Sequence, residues 1–168
     1  MLKRLFWFRH EHNLKKLMKT GLQIGKDTLV FNEAEDYGTH HQMVTIGSHC
    51  VIASGVQFIT NPAILRYADV NGGTAASRII ICDNCFLGMN SIIYPNVVIG
   101  PNAIVGAGAV VMEDVPPNMC ASGNPSHTNC TVDFYRSICK RGIIEDYTPE
   151  NKREVLRMHF WNNTDTGA

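Results

Sequence analysis

The chain has 168 residues, with 15 Lys and Arg balanced by 15 Asp and Glu, and 45% of its residues are hydrophobic. This length is sufficient for one domain with a sizeable core. The zero formal charge gives no argument for nucleic-acid binding, and the apolar run at residues 5–8 is too short to span a membrane. We expect no signal peptide, and we expect six free cysteines in a reducing, cytoplasmic setting.

The N-terminal segment is basic and amphipathic. Its first 20 residues contain six Lys and Arg but a single acidic residue, Glu11, and apolar residues recur at helical spacing. This pattern predicts a helix over residues 2–20 that ends at Gly21. We expect the helix to pack on the rest of the domain or on a partner. Peripheral attachment to an anionic membrane surface is the alternative.

Two shorter runs of a six-residue pattern follow, separated by irregular segments. Ile24 begins the first run, and the second extends from Ile46 to Phe58. Polar and acidic residues interrupt the pattern at 32–43, and a Pro- and Gly-containing loop interrupts it at 61–78. A loop of this length in a compact domain is typically functional.

The longest run extends from Ile81 to Val111, where every sixth residue is Ile, Leu or Val. A period of six fits neither an α-helix nor a simple alternating strand, and it predicts a parallel β-helix with three six-residue blocks in each coil. The first residue of each block should point inward and stack on its equivalent one coil away. Gly and Asn at other positions should supply backbone angles that most residues avoid. Ordinary sandwich strands are the alternative interpretation.

The sixth residue of each block is also apolar. By strand alternation these side chains should face outward, so we expect a terminal helix or a neighbouring subunit to cover them. The row consists of Phe86, Ile92, Val98, Ile104 and Val110.

Beyond Val111 the pattern changes. Two prolines, Pro116 and Pro117, predict the end of the regular stack. Short helices are predicted at 131–141 and at about 148–161, where Thr148 would be the N-cap residue.

Cys82 and Cys85 form a Cys-x-x-Cys pair, which raises the question of a metal site. They occupy the second and fifth positions of one block, where other blocks carry Gly and Ala. No second Cys-x-x-Cys pair follows. We interpret both as small structural residues and predict no metal.

The repeats resemble those of the left-handed β-helix, hexapeptide-repeat acyltransferases, and most of all the bacterial sugar and polysaccharide O-acetyltransferases. The resemblance covers residues 22–127 and is most specific at VTIGSHCVIASGVQFIT, at VGAGAVVMEDVPPN and at ASGNPS. It implies an all-β fold, a left-handed parallel β-helix with N-terminal and C-terminal helices. The expected divisions are a helix at 1–21, the β-helix at 22–127 with its extruded loop 61–78, and a helical tail at 128–168.

The resemblance also implies acetyl-CoA as co-substrate, a sugar or glycan hydroxyl (or an amine) as acceptor, and a homotrimer with three active sites. A histidine would remove the proton of the acceptor. Carried over to this sequence, the coenzyme-binding positions are Gly88, Met89, Gly106, Ala107, Met112, Gly123, Pro125 and His127.

The chain departs from this family pattern at the expected base. The sugar acetyltransferases commonly carry His directly after the Phe-Ile-Thr-like strand, where this chain has Asn61, and no His occurs between His49 and His127. His40 and His41 are the alternative candidate bases, with carboxylates just upstream, and Asn61 would orient the acceptor or an intermediate. His49 is predicted to be a surface residue.

The chain departs from the family pattern a second time at the residues expected to bind the coenzyme phosphates. Glu113 and His127 stand where relatives often carry basic residues. Arg136, Lys140 and Arg141 are possible substitutes, as are Arg66 and Arg78. These departures leave two interpretations open: an active enzyme with a relocated base or a substrate-assisted mechanism, and a weak or inactive relative that binds CoA or a sugar or serves as a trimeric scaffold. A zinc enzyme of the β-helix carbonic anhydrase type is a third interpretation.

Overall fold

The computed structural model describes residues 12–61 and 77–140. Residues 12–19 are α-helical and are called α1. The strands of the described ranges are β1 Gln23–Ile24, β2 Leu29–Val30, β3 Val44–Ile46, β4 Val51–Ile52, β5 Gln57–Phe58, β6 Ile79–Ile81, β7 Phe86–Leu87, β8 Ile92–Ile93, β9 Val98–Ile99, β10 Ile104–Val105, β11 Val110–Val111, β12 Met119–Ser122 and β13 His127–Thr131. A second helix, α2, spans Val132–Cys139.

The strands form three sheets, and successive strands of the chain belong to different sheets except for β12 and β13. The sheets are ordered β1-β3-β6-β9, β2-β4-β7-β10-β12 followed by β13, and β5-β8-β11. Every pairing except that of β12 with β13 is parallel. Ile93 pairs with Val111, 18 residues later. Three short strands therefore complete one coil, which confirms the predicted parallel β-helix.

The core runs along the axis of the coils. First-position side chains such as Ile81, Ile93 and Ile99 have at most 1% of their surface exposed. The fifth-position side chains are also buried, and they include Cys85 and Ser91. A buried aliphatic side chain of this size contributes about 1.5–3 kcal/mol, so the stacked rows supply most of the apolar stabilisation.

The turns use Asn and Gly in two different ways. The fourth residues of the five blocks between Ile81 and Val110, including Asn84 and Gly108, have φ between 56° and 67°. The second-position glycines do not have positive φ. At Gly88 a Cβ atom would lie 2.5 Å from the backbone nitrogen of Ala107 in the next coil. The prediction that Gly supplies unusual angles therefore holds at the fourth position and is wrong at the second, where the requirement is for space.

The stack continues beyond the two prolines, contrary to the sequence-based prediction. Val115 bridges Ile99 in parallel, and β12 pairs with β10. Pro116 and Pro117 form a corner of this last coil, with the nitrogen of Pro117 2.6 Å from the position a Cβ of Gly100 would take. Proline is tolerated here because the corner does not require its missing N–H donor.

The outward-facing sixth positions are only partly covered within one chain. Ile92, Val98 and Ile104 are half-buried, but Phe86 is 42% exposed. Leu29, its equivalent in β2, is 57% exposed. Leu29 and Phe86 lie on the outer face of the β2-β4-β7-β10 sheet. The predicted cover, a helix or a neighbouring subunit, stays a prediction.

Both described helices coincide with predicted ones. After α1 the chain turns at Gly21, where φ is 118°, and Leu14 and Leu17 pack against the core. The chain divides into two units, Met1–Tyr135 and Arg136–Ala168. Residues 2–11, most of the predicted loop and the helix predicted at 148–161 lie outside the described residues. In the part that is described, no helix has the length and apolar character needed to cross a membrane.

Candidate active site

The polar segment at 32–43 takes the place of a third strand in the first coil. It contains two short 3-10 turns, Ala34–Tyr37 and His41–Met43. Tyr37 is fully buried and its ring stacks on that of Phe58, with ring centroids 5.2 Å apart. This stacking fixes the segment against the end of β5, three residues before Asn61.

The Asp36 carboxylate provides a second anchor for this segment. One of its oxygens accepts a hydrogen bond from the backbone N–H of Glu33 at 2.9 Å, and the other accepts one from the side-chain amide of Gln57. Because both oxygens are occupied in this way, Asp36 holds the loop on β5. The sequence had suggested an upstream carboxylate as the partner of His40 or His41, and the contacts of Asp36 lie elsewhere.

His40 lies beside Asn61. The Nε2 atom of His40 is 3.4 Å from the Nδ2 atom of Asn61, and both residues are half-buried. The side-chain nitrogen of Gln42 is 3.5 Å from His40 Nδ1. The structure therefore brings an imidazole next to the residue that stands where related enzymes carry their histidine, although the two are 21 positions apart.

His41 points elsewhere. Its Nε2 atom is 2.7 Å from the hydroxyl of Thr20, at the end of α1. His49 is exposed at a turn, and its ring lies 3.9 Å from the Asp27 carboxylate. This confirms the prediction that His49 is a surface residue. Of the three histidines in the coils, His40 is the one that lies beside Asn61.

Tyr37 is close to the site but is unsuited to proton transfer. Burial raises the pKa of its phenol well above the usual value, and the charge of Asp36 raises it further. The phenol therefore stays protonated near neutral pH, and the role of Tyr37 is to pack against Phe58.

The predicted coenzyme-binding residues divide between two corners of the β-helix. Gly88 and Met89 follow β7, Gly106 and Ala107 follow β10, and Gly123 follows β12, so these residues lie along the corner where the second sheet leads into the third. Met112 follows β11 at the next corner, as Asn61 follows β5. Met89 and Met112 are 55% and 53% exposed.

The segment after β12 lies at the end of the corner that carries Gly88 and Gly106. The carbonyl of Gly123 accepts a hydrogen bond from the N–H of Val110, and the carbonyl of Val110 accepts one from Ser126. The Asn124–Pro125 bond is cis, and His127 begins β13 with its side chain exposed. Gly123, Pro125 and His127 are thus placed beside β11 and β12, at the last coil.

Positive charge is scarce in the described β-helix. Lys26 and Arg78 are the Lys and Arg residues of the described positions 22–135. Arg136 and Lys140 belong to the second unit, and Arg66 and Arg141 lie outside the described residues. Their role in binding the coenzyme phosphates stays a prediction.

The cysteines of the Cys-x-x-Cys pair make structural contacts. The Cys85 thiol donates to the Gly100 carbonyl at 3.0 Å, and the Cys50 thiol donates to the Cys82 carbonyl at 3.1 Å. A hydrogen bond with Cys50 raises the pKa of Cys85, and burial raises it further. Because its thiol is buried and hydrogen-bonded to a backbone carbonyl, Cys85 serves as a small structural side chain.

Comparison with known proteins identifies the family. The model "Bacterial transferase hexapeptide (six repeats)" matches residues 78–112. Protein CapG of Staphylococcus aureus is 35% identical over 96% of this chain and 95% of its own length. The chain belongs to the bacterial transferase hexapeptide family. Its β-helix is therefore left-handed, as predicted.

Two solved structures show how far the similarity extends. The maltose O-acetyltransferase of Clostridium difficile is 32% identical over 64% of this chain, with a TM-score of 0.52. This chain spans 57% of that protein. The similarity to a hexapeptide-repeat acetyltransferase of Vibrio cholerae covers 73% of this chain and 81% of that protein, with a TM-score of 0.55. The sequence identity is 21%, so this comparison shows the shared fold. The predicted enzyme class, an acyltransferase, agrees with the similarity to the maltose O-acetyltransferase.

Two residues near the site were not found from the hexapeptide pattern. Thr20 and Gln42 contact His41 and His40, respectively. Thr20 lies outside the repeats, and Gln42 lies in the segment that interrupts them. A repeat pattern reports only the positions that recur, so it gives no information about contacts between two irregular segments.

Proposed function

We propose that this chain transfers the acetyl group of acetyl-CoA to a hydroxyl, or an amine, of a sugar or glycan precursor. The observation that carries the proposal is the juxtaposition of His40 Nε2 and Asn61 Nδ2 at 3.4 Å. It provides a base and a hydrogen-bond donor at the end of β5. Membership of the transferase family supports the reaction class, and the similarity to a maltose O-acetyltransferase supports a sugar acceptor.

The chemistry requires only these two groups and backbone donors. The acceptor hydroxyl takes the place of the Asn61 amide at His40 Nε2, and this nitrogen accepts the hydroxyl proton while the hydroxyl oxygen attacks the thioester carbonyl. The Asn61 amide cannot act as a base at neutral pH, but its N–H groups can donate to the oxyanion of the tetrahedral intermediate or to the acceptor. Collapse of the intermediate breaks the carbon–sulfur bond, and the proton held by His40 goes to the departing thiolate of CoA.

The acetyl donor can be tested first by calorimetric titration with acetyl-CoA. We expect one site per chain with micromolar affinity, followed by transfer to a member of a panel of sugars and sugar nucleotides, detected as a gain of one acetyl group by mass spectrometry. Mass detection avoids thiol reagents, which would react with free cysteines. Absence of binding at millimolar acetyl-CoA would contradict the proposal. It would favour the inactive trimeric relative, which the scarcity of Lys and Arg in the described part of the β-helix also suggests.

The division of the coenzyme residues between two corners supports a site shared by two subunits. One subunit would contribute the corner with Met89 and Ala107, and its neighbour the corner with Asn61 and Met112. Exposed apolar residues on the outer face, Leu29 and Phe86, are consistent with burial in an assembly. A homotrimer satisfies both requirements.

Light scattering should therefore give a mass about three times that of the 18.7 kDa chain. The measurement should be repeated over a range of protein concentrations, because a weak assembly would dissociate on dilution. A monodisperse monomer throughout that range would contradict the shared site.

A further inference from the structure

The end of the N-terminal helix contacts the turn that carries His40. The hydroxyl oxygen of Thr20 lies 2.7 Å from His41 Nε2. One residue later, a Cβ atom on Gly21 would lie only 2.6 Å from Gln42 Cβ. Gly21 also has φ of 118°, which side-chain-bearing residues rarely adopt. The helix end and the turn therefore meet at two consecutive residues on each side.

The Thr20 hydroxyl has three polar neighbours. It lies 3.0 Å from the Leu17 carbonyl and 3.2 Å from that of Lys16, both acceptors at the end of α1. It also lies 2.7 Å from His41 Nε2, where the direction of the hydrogen bond depends on the His41 tautomer. With either tautomer the hydroxyl occupies His41 Nε2 and holds the turn to the helix, so this nitrogen is engaged by Thr20 rather than by substrate.

The turn transmits this contact to His40. The N–H of Met43 donates to the His40 carbonyl at 2.9 Å, and the N–H of Val44 donates to that of His41. These bonds fix the backbone on which the His40 ring is carried. The Gln42 side chain lies on one nitrogen of the ring and Asn61 on the other. A shift of Gln42 away from Gly21 would therefore displace the His40 ring relative to Asn61.

We propose that Thr20 and Gly21 are positioning residues for the reaction, and that they act by holding the His40–Gln42 turn so that His40 Nε2 faces the acceptor. The inference rests on the proposed function of His40. It assigns part of the active-site support to a segment outside the hexapeptide repeats. The repeats fix Asn61, whereas the helix end fixes the base that lies beside it.

The test is a double-mutant cycle on the full chain, with acetyl-CoA and the sugar acceptor that the panel identifies. Thr20→Val removes the hydroxyl and keeps the shape, and we expect kcat to fall about 10-fold with KM for acetyl-CoA unchanged, because a misplaced base slows only the chemical step. Thr20→Ser, which keeps the hydroxyl, should restore the rate. In a His40→Ala background, Thr20→Val should cause no further loss, because the group it positions is absent.

The outcomes separate the two ideas. If His40→Ala lowers kcat as expected but Thr20→Val lowers kcat by the same factor with and without His40, the positioning role alone is overturned. A His40→Ala rate equal to that of the parent would overturn the base itself, and the positioning role with it. Gln42→Ala provides a second route, since Gln42 is exposed and its truncation should leave the fold intact. Gln42→Ala should lower kcat when His40 is present and should cause no further loss in the His40→Ala background. Losses of kcat that add in the double variant would again contradict the proposal.

Discussion

Replacing His40 with alanine is expected to lower the turnover of acetyl transfer by about 10²–10⁴-fold, the usual contribution of a general base. His40 is the histidine beside Asn61, and its removal leaves the acceptor hydroxyl without a nearby base. The affinity for acetyl-CoA should be unchanged, because His40 lies near Asn61 rather than at the glycine-lined corner. Steady-state kinetics and calorimetry on the same preparations measure the two effects separately.

The matched control for this experiment is His49→Ala. His49 is also an imidazole in the second coil, but it is exposed at a turn near Asp27, so its loss should leave turnover within about twofold of the parent, as surface changes usually do. Added imidazole should restore part of the His40→Ala rate, because a small base can enter the space that the side chain leaves. An unchanged His40→Ala rate would reject His40 as the base.

Replacing Gly88 with asparagine should destabilise the fold by about 3 kcal/mol or more. A Cβ atom at this position would lie 2.5 Å from the Ala107 nitrogen and 2.8 Å from the carbonyl carbon of Gly106. These are backbone atoms of the next coil and cannot rotate away as a side chain can. The coils must therefore separate locally, which weakens the parallel hydrogen bonds and the stacking of Leu87 on Val105. The melting temperature should fall by several degrees.

The same substitution at Gly108 provides a control with the opposite expectation. Gly108 has φ of 67°, and a Cβ atom built on it would meet no atom within 4 Å. Asparagine already occupies the equivalent turn position at Asn90 and Asn102 with φ of 56° and 59°, so Gly108→Asn should change the stability by less than about 0.5 kcal/mol. Thermal and denaturant unfolding of both variants provide the comparison. Similar losses at the two glycines would contradict this account of the second position.

The β-helix was predictable from the sequence because its core is periodic. Each buried position recurs every six residues, so Ile81, Ile93 and Ile99 reveal the same inward face repeatedly. The error at Pro116 and Pro117 has a physical cause. Proline excludes a paired strand position, but it is compatible with a corner, and a sequence pattern does not show which of the two it occupies.

The candidate site was only partly predictable. Asn61 stands at a position fixed by the repeats, and its departure from the family pattern is visible in the sequence. The distinction between His40 and His41 was not visible, because it depends on contacts with Asn61 and Thr20, each about 20 positions away. Adjacent residues of a turn point in different directions, and only the folded backbone shows which imidazole faces the end of β5.

The antiparallel pairing of β13 on β12 has a consequence for how the molecule behaves at high concentration. A stack of parallel coils could in principle be lengthened by another molecule docking on its last strand, and repeated docking would give a fibre. At β12 that strand edge is already occupied by a strand of the same chain that runs in the opposite direction. It cannot serve as a template for a further parallel coil, so growth of the β-helix past β12 is blocked within this sheet.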